Sequence, residues 1–337
     1  MKAKRFLLTV LLVLLIAFIL LNGLAYNHAY SMMNFTASGL RTIKPENLSL
    51  WGKVRTIIFG VNIPRPLSNG NPSDLARGCR ILYVNGGEDT KLETWYCSQG
   101  EKTQLVILFH GYSAEKTSLS DEAKILLDLG VSTLLVDFRG SGGSSESYTT
   151  IGLRESEDVA DIVNYVEKNL RHSSVVLFGQ SMGAAAILRA MHELEVKPDG
   201  IILEAVFDRM LTTVQNRFSA MGLPSFPSAQ LLVFWGGIQW GFDGFAHNPM
   251  DYASSVCSPA LFLHGVDDPR ATVVEGRRVF SAVPARHKEF KEFVAVGHEG
   301  YTSRFPNEWR TAVSDLLKRA ENGKVNGIFS CNSQKID

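Results

Sequence analysis

The chain has 337 residues, 45% apolar and 20% charged, with 34 Lys+Arg balanced by 34 Asp+Glu. That composition supports a sizeable core and excludes wholesale disorder. Zero net charge argues against a nucleic-acid binder, whose affinity rests on neutralising phosphates, and four cysteines over this length are no disulfide scaffold.

Met1 to Arg5 reads M-K-A-K-R, and Phe6 to Leu21 is then apolar except for Thr9. Extended to Tyr26 as a helix, the segment is about 30 Å long, enough to cross a bilayer's hydrocarbon core. Residues 1–26 are therefore expected to be a signal anchor. The alternative is a signal peptide cleaved near Gly23-Leu24-Ala25, and a third reading makes the helix a docking element for a partner. The basic end stays in the cytoplasm, so the rest of the chain is expected on the non-cytoplasmic side, anchored or secreted. In an oxidising compartment Cys79 and Cys97 either pair or remain two buried thiols, and Cys257 and Cys331 have no evident partner. No C-x-x-C or H-E-x-x-H spacing occurs, so no metal and no cofactor is expected.

Residues 27–77 read as an irregular linker marked by Pro64, Pro66 and Pro72, with one short amphipathic helix around Leu48 to Phe59. From about Gly78 the pattern becomes regular. Strands are expected at Cys79–Val84, Leu92–Cys97, Leu105–Phe109, Val131–Phe138, Val175–Phe178, Gly200–Val206, Leu261–Leu263 and Phe290–Val296. Helices are expected at Leu119–Leu129, Gly152–Leu170, Met182–Glu195, Val274–Val283 and Asn307–Ala320. Alternation of this kind implies βαβ units, hence a mostly parallel sheet with helices on both faces. It breaks down over 207–255, a segment holding Phe218, Phe226, Phe234, Trp235, Trp240, Phe242 and Phe245. That length reads as an insertion or lid, its aromatics either walling an apolar pocket or forming ordinary core. The domain thus spans 78–321, and 322–337 is a C-terminal tail.

Gly179-Gln180-Ser181-Met182-Gly183 follows the strand V-V-L-F and opens an alanine-rich helix. A serine on so tight a turn sits in strained backbone, and its neighbours must be small. The helix N-terminus behind it favours developing negative charge. Ser181 is the candidate nucleophile, and a serine needs a base. His298, in A-V-G-H-E-G after the last expected strand, is placed to be that base. The orienting carboxylate is expected from Leu261–Asp268, L-F-L-H-G-V-D-D. The H-G-x-x-D spacing selects Asp268, with Asp267 as the alternative, and His264 braces the loop. His110-Gly111-Tyr112 follows the strand L-V-I-L-F. The backbone N–H groups of Tyr112 and Met182 are the expected oxyanion donors, with His110 structural.

With these motifs in hand, about Gly78 to Ala320 resembles the α/β-hydrolase superfamily, in its serine aminopeptidase-like and esterase/lipase-like branch. The matching motifs are the H-G-Y loop, D-F-R-G-S-G-G-S at Asp137–Ser144, G-Q-S-M-G, the H-G-V-D-D loop and Gly297-His298, in the chain order Ser, Asp, His. The resemblance implies a hydrolase of an ester, amide or thioester, with Asp137 and Arg139 structural. A carboxylesterase or lipase-like activity on a small-molecule or lipid-like acyl substrate is the leading expectation. A peptidase is the second, with Glu204 and Asp208 as candidate acids for a substrate amine. A non-catalytic, membrane-tethered binding module on the same fold is the third.

Overall fold

The computed structural model describes residues 2–43, 47–87, 89–326 and 331. Among them, eight strands make one sheet: β1 (Arg80–Asn85), β2 (Lys91–Cys97), β3 (Leu105–Phe109), β4 (Ser132–Val136), β5 (Val175–Gln180), β6 (Gly200–Glu204), β7 (Ala260–Gly265) and β8 (Lys288–Phe293). Their order is β1-β2-β4-β3-β5-β6-β7-β8. β1 and β2 pair antiparallel, β2 joins β4 antiparallel, and every pairing from β4 to β8 is parallel.

The helices are α1 (Lys2–Met33), α2 (Leu50–Phe59), α3 (Ser120–Asp128), α4 (Glu155–Asn169), α5 (Met182–Glu193), α6 (Met210–Ala220), α7 (Ser228–Trp240), α8 (Pro249–Tyr252), α9 (Val273–Ala282), α10 (Tyr301–Arg304) and α11 (Pro306–Asn326). The continuous apolar runs of β3 to β7 are buried on both faces, because alternate side chains point to opposite sides. Ile107, Phe109, Leu177, Ile201 and Phe262 share one core with Val159 and Ile162 of α4 and Ile187 of α5. Val106, Leu108, Val176, Phe178 and Leu261 share the other with Leu126 of α3 and Trp309 and Val313 of α11. Each such fully buried side chain contributes roughly 1.5–3 kcal/mol.

Two strand boundaries differ from the sequence pattern for local reasons. The Val131–Phe138 reading overshoots because the Phe138 N–H leaves the ladder and donates to His110 Nε2 (3.1 Å). The last strand starts earlier, at Lys288, and its K-E-F-K-E-F pattern is an edge strand protected by charge rather than an apolar run. Beyond it the chain turns, with Ala295 at φ 58°.

The chain divides into two compact units, Met1–Pro64 with Met210–Ala246, and Arg65–Arg209 with His247–Asp337. The sheet belongs to the second. The first gathers segments that the sequence places far apart. α1 continues past residue 26 to Met33 and packs along α7. There Trp235 Nε1 donates to Asn22 Oδ1 (3.1 Å), and the Trp235 ring meets Tyr26 edge-on at 5.5 Å. Gly60, at the end of α2, lies against Ser31 and Asn27, and the Val61 N–H donates to Ser31 Oγ (3.3 Å). α2 is held to the end of α6 by Lys53 Nζ, which donates to the Met221 carbonyl (2.6 Å). The expected linker thus contains the helix read over Leu48–Phe59, and the aromatics of the insertion face α1 in part.

Cys79 pairs with Cys97 across the β1–β2 hairpin, and Cys257 pairs with Cys331. The second bridge corrects the expectation that those two cysteines lack partners. They are 74 residues apart, and no local pattern links them. α11 runs past the expected domain end at 321 to Asn326, and the remainder of the tail other than Cys331 lies outside the described residues.

Candidate active site

The site stands at the carboxyl ends of β5, β7 and β8. β5 delivers the chain into α5 through Ser181, whose backbone is held at φ 52°, ψ −105°. A non-glycine residue rarely occupies that region, at a cost of roughly 1–3 kcal/mol. The neighbours explain how the turn closes. A Cβ at Gly179 would stand 2.6 Å from the Ala184 nitrogen, and one at Gly183 would collide with the Phe109 carbonyl oxygen. Only glycine lets α5 approach β3 and β5 this closely. The Ser181 N–H donates to the Glu204 carbonyl (2.7 Å), tying the turn to β6.

His298 arrives from the loop after β8. Ser181 Oγ lies 3.1 Å from His298 Nε2, and His298 Nδ1 lies 2.7 Å from Asp268 Oδ2. The consistent proton assignment has the imidazole donating from Nδ1 to the carboxylate and accepting the serine hydroxyl at Nε2. Ser181 and His298 are partly exposed, whereas Asp268 is 4% exposed.

Asp268 is fixed by its own loop. Its Oδ1 accepts the N–H of Arg270 (2.8 Å) and of Ala271 (3.1 Å). Burial alone would push its carboxyl up, but His298 beside it and these hydrogen bonds hold it below the usual carboxylate range. Asp267, the alternative, is exposed. His264 Nε2 donates to the Ala271 carbonyl (2.7 Å), and the Gly265 N–H donates to the Tyr301 hydroxyl (2.9 Å). Both brace the loop that carries Asp268. Thr272 then opens α9 with a capping box closed by Glu275. Burial lowers the pKa of His264.

The His110-Gly111-Tyr112 loop passes beside the serine. A Cβ at Gly111 would lie 3.5 Å from the Gln180 carbonyl oxygen and 3.7 Å from Ser181 Cβ. His110 is fully buried with both ring nitrogens engaged, Nδ1 with the Gly111 carbonyl (2.8 Å) and Nε2 with the Phe138 N–H. Burial lowers its pKa. Met182, first in α5, carries one of the backbone N–H groups that a helix start leaves without an intrahelical acceptor. Asp137 and Arg139 serve the frame. Asp137 Oδ1 accepts from the Lys116 N–H (2.8 Å), and Asp137 Oδ2 accepts from Lys116 Nζ and the Gly143 N–H. Arg139 pairs with Asp158 (2.7 Å) and Glu157 (3.0 Å).

The two carboxylates considered for a substrate amine are placed otherwise. Glu204 is fully buried, its Oε1 accepting from Gln180 Nε2 (2.9 Å) and its Oε2 from Trp309 Nε1 (3.4 Å). Burial, and secondarily the Glu122 carboxyl, push it up to about 8. Asp208 is buried and paired with Arg278 (3.0 Å). The Gln180–Glu204–Trp309 network beneath the serine escaped the sequence reading. Its one visible hint is a glutamate closing an otherwise apolar strand, G-I-I-L-E. Among the described residues no cluster of His, Cys, Asp and Glu could hold a metal ion.

A mostly parallel eight-stranded sheet, with a positive-φ serine between strand and helix and a histidine and an aspartate from later loops beside it, is the α/β-hydrolase fold. Over residues 100–230 the chain matches the family model described as serine aminopeptidase, S33. A solved esterase of Pyrococcus furiosus superposes with a TM-score of 0.65 at 23% identity, covering 77% of this chain and 97% of that one. An uncharacterized protein of Mycobacterium tuberculosis is 23% identical over 271 residues, 80% of this chain and 86% of its own. Human protein ABHD12B is 28% identical over 216 residues, 58% of this chain and 54% of its own. The sequence-based resemblance to the α/β-hydrolases therefore holds, and these likenesses support a hydrolase. Among the described residues one helix, α1, is long and apolar enough to cross a membrane.

Proposed function

We propose that the chain is a membrane-anchored serine hydrolase that cleaves a carboxylic ester through an acyl-enzyme on Ser181. His298 Nε2 takes the Ser181 proton as Oγ bonds to the carbonyl carbon. The charged oxygen is met by the backbone N–H groups of Met182 and Tyr112. As the carbonyl re-forms, the bond to the leaving alkoxide breaks and His298 returns its proton to that alkoxide. Water then attacks the acyl-enzyme, again deprotonated by His298, and releases the acid and Ser181. Asp268 holds the imidazole in the tautomer that accepts at Nε2 and stabilises its cationic form.

The observation that carries this reading is Ser181 Oγ at 3.1 Å from His298 Nε2, on backbone held at φ 52°. The sheet's likeness to an esterase favours an ester. The burial of Glu204 and the pairing of Asp208 leave the peptidase reading without the amine site suggested for it. For the anchor, the contacts of Asn22 and Tyr26 with α7 span the candidate cleavage point at Gly23–Ala25. Cutting there would remove the Asn22 partner of Trp235 and free the end of the helix that Tyr26 and the residues after it hold against α7. The basic Met1–Arg5 end and the two disulfides favour a non-cytoplasmic hydrolase unit.

The test is a series of p-nitrophenyl esters of increasing acyl length, run beside aminoacyl p-nitroanilides on the full chain. Ester turnover that disappears in Ser181→Ala is the expected result. Turnover of the anilides alone would transfer the reading to a peptidase, and ester turnover retained by Ser181→Ala would contradict it.

A further inference from the structure

Helix α2 presents its apolar side outward. Thr56 is its buried residue. Leu50, Trp51, Val54, Ile57, Ile58 and Phe59 are exposed, Trp51 at 78% and Phe59 at 72%. A short helix on a water-soluble surface has the opposite arrangement. α7 buries Ala229, Leu232 and Val233 yet also turns apolar residues outward. That helix has no charged residue, S-A-Q-L-L-V-F-W-G-G-I-Q-W. It packs on α1 with Trp235 and leaves Phe234 and Ile238, one turn apart, 46% and 58% exposed.

Both helices pack on the part of α1 that follows its apolar run. Phe6 to Leu20 are exposed along that run, and the first contacts to α7 come at Asn22 and Tyr26. At about 1.5 Å per residue, the run from Phe6 to Asn22 covers most of a hydrocarbon core. The outward faces of α2 and α7 therefore begin where the span ends. Trp235, Tyr26 and Trp51 supply the amphipathic aromatics that settle at a headgroup boundary. Charge agrees. Away from the Met1–Arg5 patch, the segments of this unit carry Arg41, Lys44, Lys53, Arg55 and Arg217 against Glu46 and Asp243, although the whole chain is neutral. α2 itself carries only basic charges, Lys53 and Arg55, the sign that interfacial helices carry on their polar face.

We propose that the outward faces of α2 and α7 form a second membrane-contact surface, seated in the headgroup region of a phospholipid bilayer beside the α1 span. The assignment rests on the reading of α1 as an anchor and is independent of the reaction. The bilayer covers apolar area that would otherwise face water. The unit built from Met1–Pro64 and Met210–Ala246 is then held to the membrane by a surface as well as by a single helix, and the insertion in the hydrolase sequence is part of that surface.

The experiment uses the full chain in nanodiscs of phosphatidylcholine and phosphatidylglycerol whose acyl chains carry bromine at shallow or deep positions. Emission from Trp51 is taken as the difference between wild type and Trp51→Phe. The surface assignment predicts that shallow bromines quench this difference by half or more, that deep bromines quench it less, and that aqueous iodide leaves it nearly untouched. Quenching by iodide alone would put Trp51 in water and overturn the assignment. Protection from both quenchers would mean a protein partner or a second copy covers α2, and would overturn it equally. Alkaline carbonate extraction reads the anchor separately. A chain that stays in the bilayer with Trp51 unquenched loses only the surface, whereas a chain released by carbonate loses the anchor and the surface together. Fluorophosphonate labelling of the same nanodiscs reports the reaction independently of both.

Discussion

Asp268→Asn tests the division of labour in the site with little change of shape. The asparagine oxygen can still accept the N–H groups of Arg270 and Ala271, at 2.8 and 3.1 Å in the native protein, so the loop should keep its conformation. The position now occupied by Oδ2, 2.7 Å from His298 Nδ1, becomes an NH2. Two donors cannot face each other, so the imidazole shifts its proton to Nε2. That nitrogen, 3.1 Å from Ser181 Oγ, then donates and can no longer act as a base. Loss of the correct tautomer costs on the order of 10⁴ in kcat, which at 1.36 kcal/mol per decade is about 5 kcal/mol of barrier. The assay is steady-state turnover of the best p-nitrophenyl ester, with circular dichroism to verify the fold. KM should move little, because the substitution alters proton transfer rather than binding. Asp267→Asn is the matched control and should leave turnover unchanged, since Asp267 is exposed. Turnover of Asp268→Asn within tenfold of wild type would refute the reasoning.

Three further outcomes follow from the same geometry. Ser181→Gly should abolish ester turnover yet raise the melting temperature by a few degrees. It releases roughly 1–3 kcal/mol of backbone strain at φ 52° against about 0.5–1 kcal/mol of added chain entropy, and an unchanged or lower melting temperature would count against strain at the turn. Gly179→Val should destabilise by about 3 kcal/mol or more in urea unfolding, because its Cβ would stand 2.6 Å from the Ala184 nitrogen with only backbone there to move; a loss below about 1 kcal/mol would mean the turn is looser than described. Glu204 holds its proton up to about pH 8 in the folded chain against an ordinary value of 4.5. Its contribution to stability is therefore whole below about pH 4.5 and is lost as pH rises to about 8. Glu204→Gln cannot titrate, so its melting temperature should fall less steeply than wild type between about pH 5 and 8, and parallel curves would contradict the burial argument.

The sheet was legible because its strands are buried on both faces. L-V-I-L-F and V-V-L-F are apolar runs too short for a helix and rich in β-branched and aromatic residues, and the glycines of G-Q-S-M-G mark a turn that tolerates no side chain at those two positions. The candidate site residues were legible by type and place, since Ser181 and Asp268 follow the buried strands β5 and β7 and His298 follows the edge strand β8, where loops gather. What escaped depends on contacts distant in sequence. Nothing local to Cys257 points to Cys331. Nothing in α1 or the insertion says that Trp235 meets Asn22, 213 residues earlier. The edge strand Lys288–Phe293 was read late, as Phe290–Val296, because its charges mask the alternation. Glu204 and Asp208 looked available because composition records charge but not burial.

The most direct measurement of the central claim is the site of covalent modification by a fluorophosphonate, read by peptide mass spectrometry on the wild-type chain and on Ser181→Ala. The account predicts one adduct in the wild type, on the peptide bearing Ser181, and none in the variant. Equal modification of both chains, or an adduct on another residue, would contradict it.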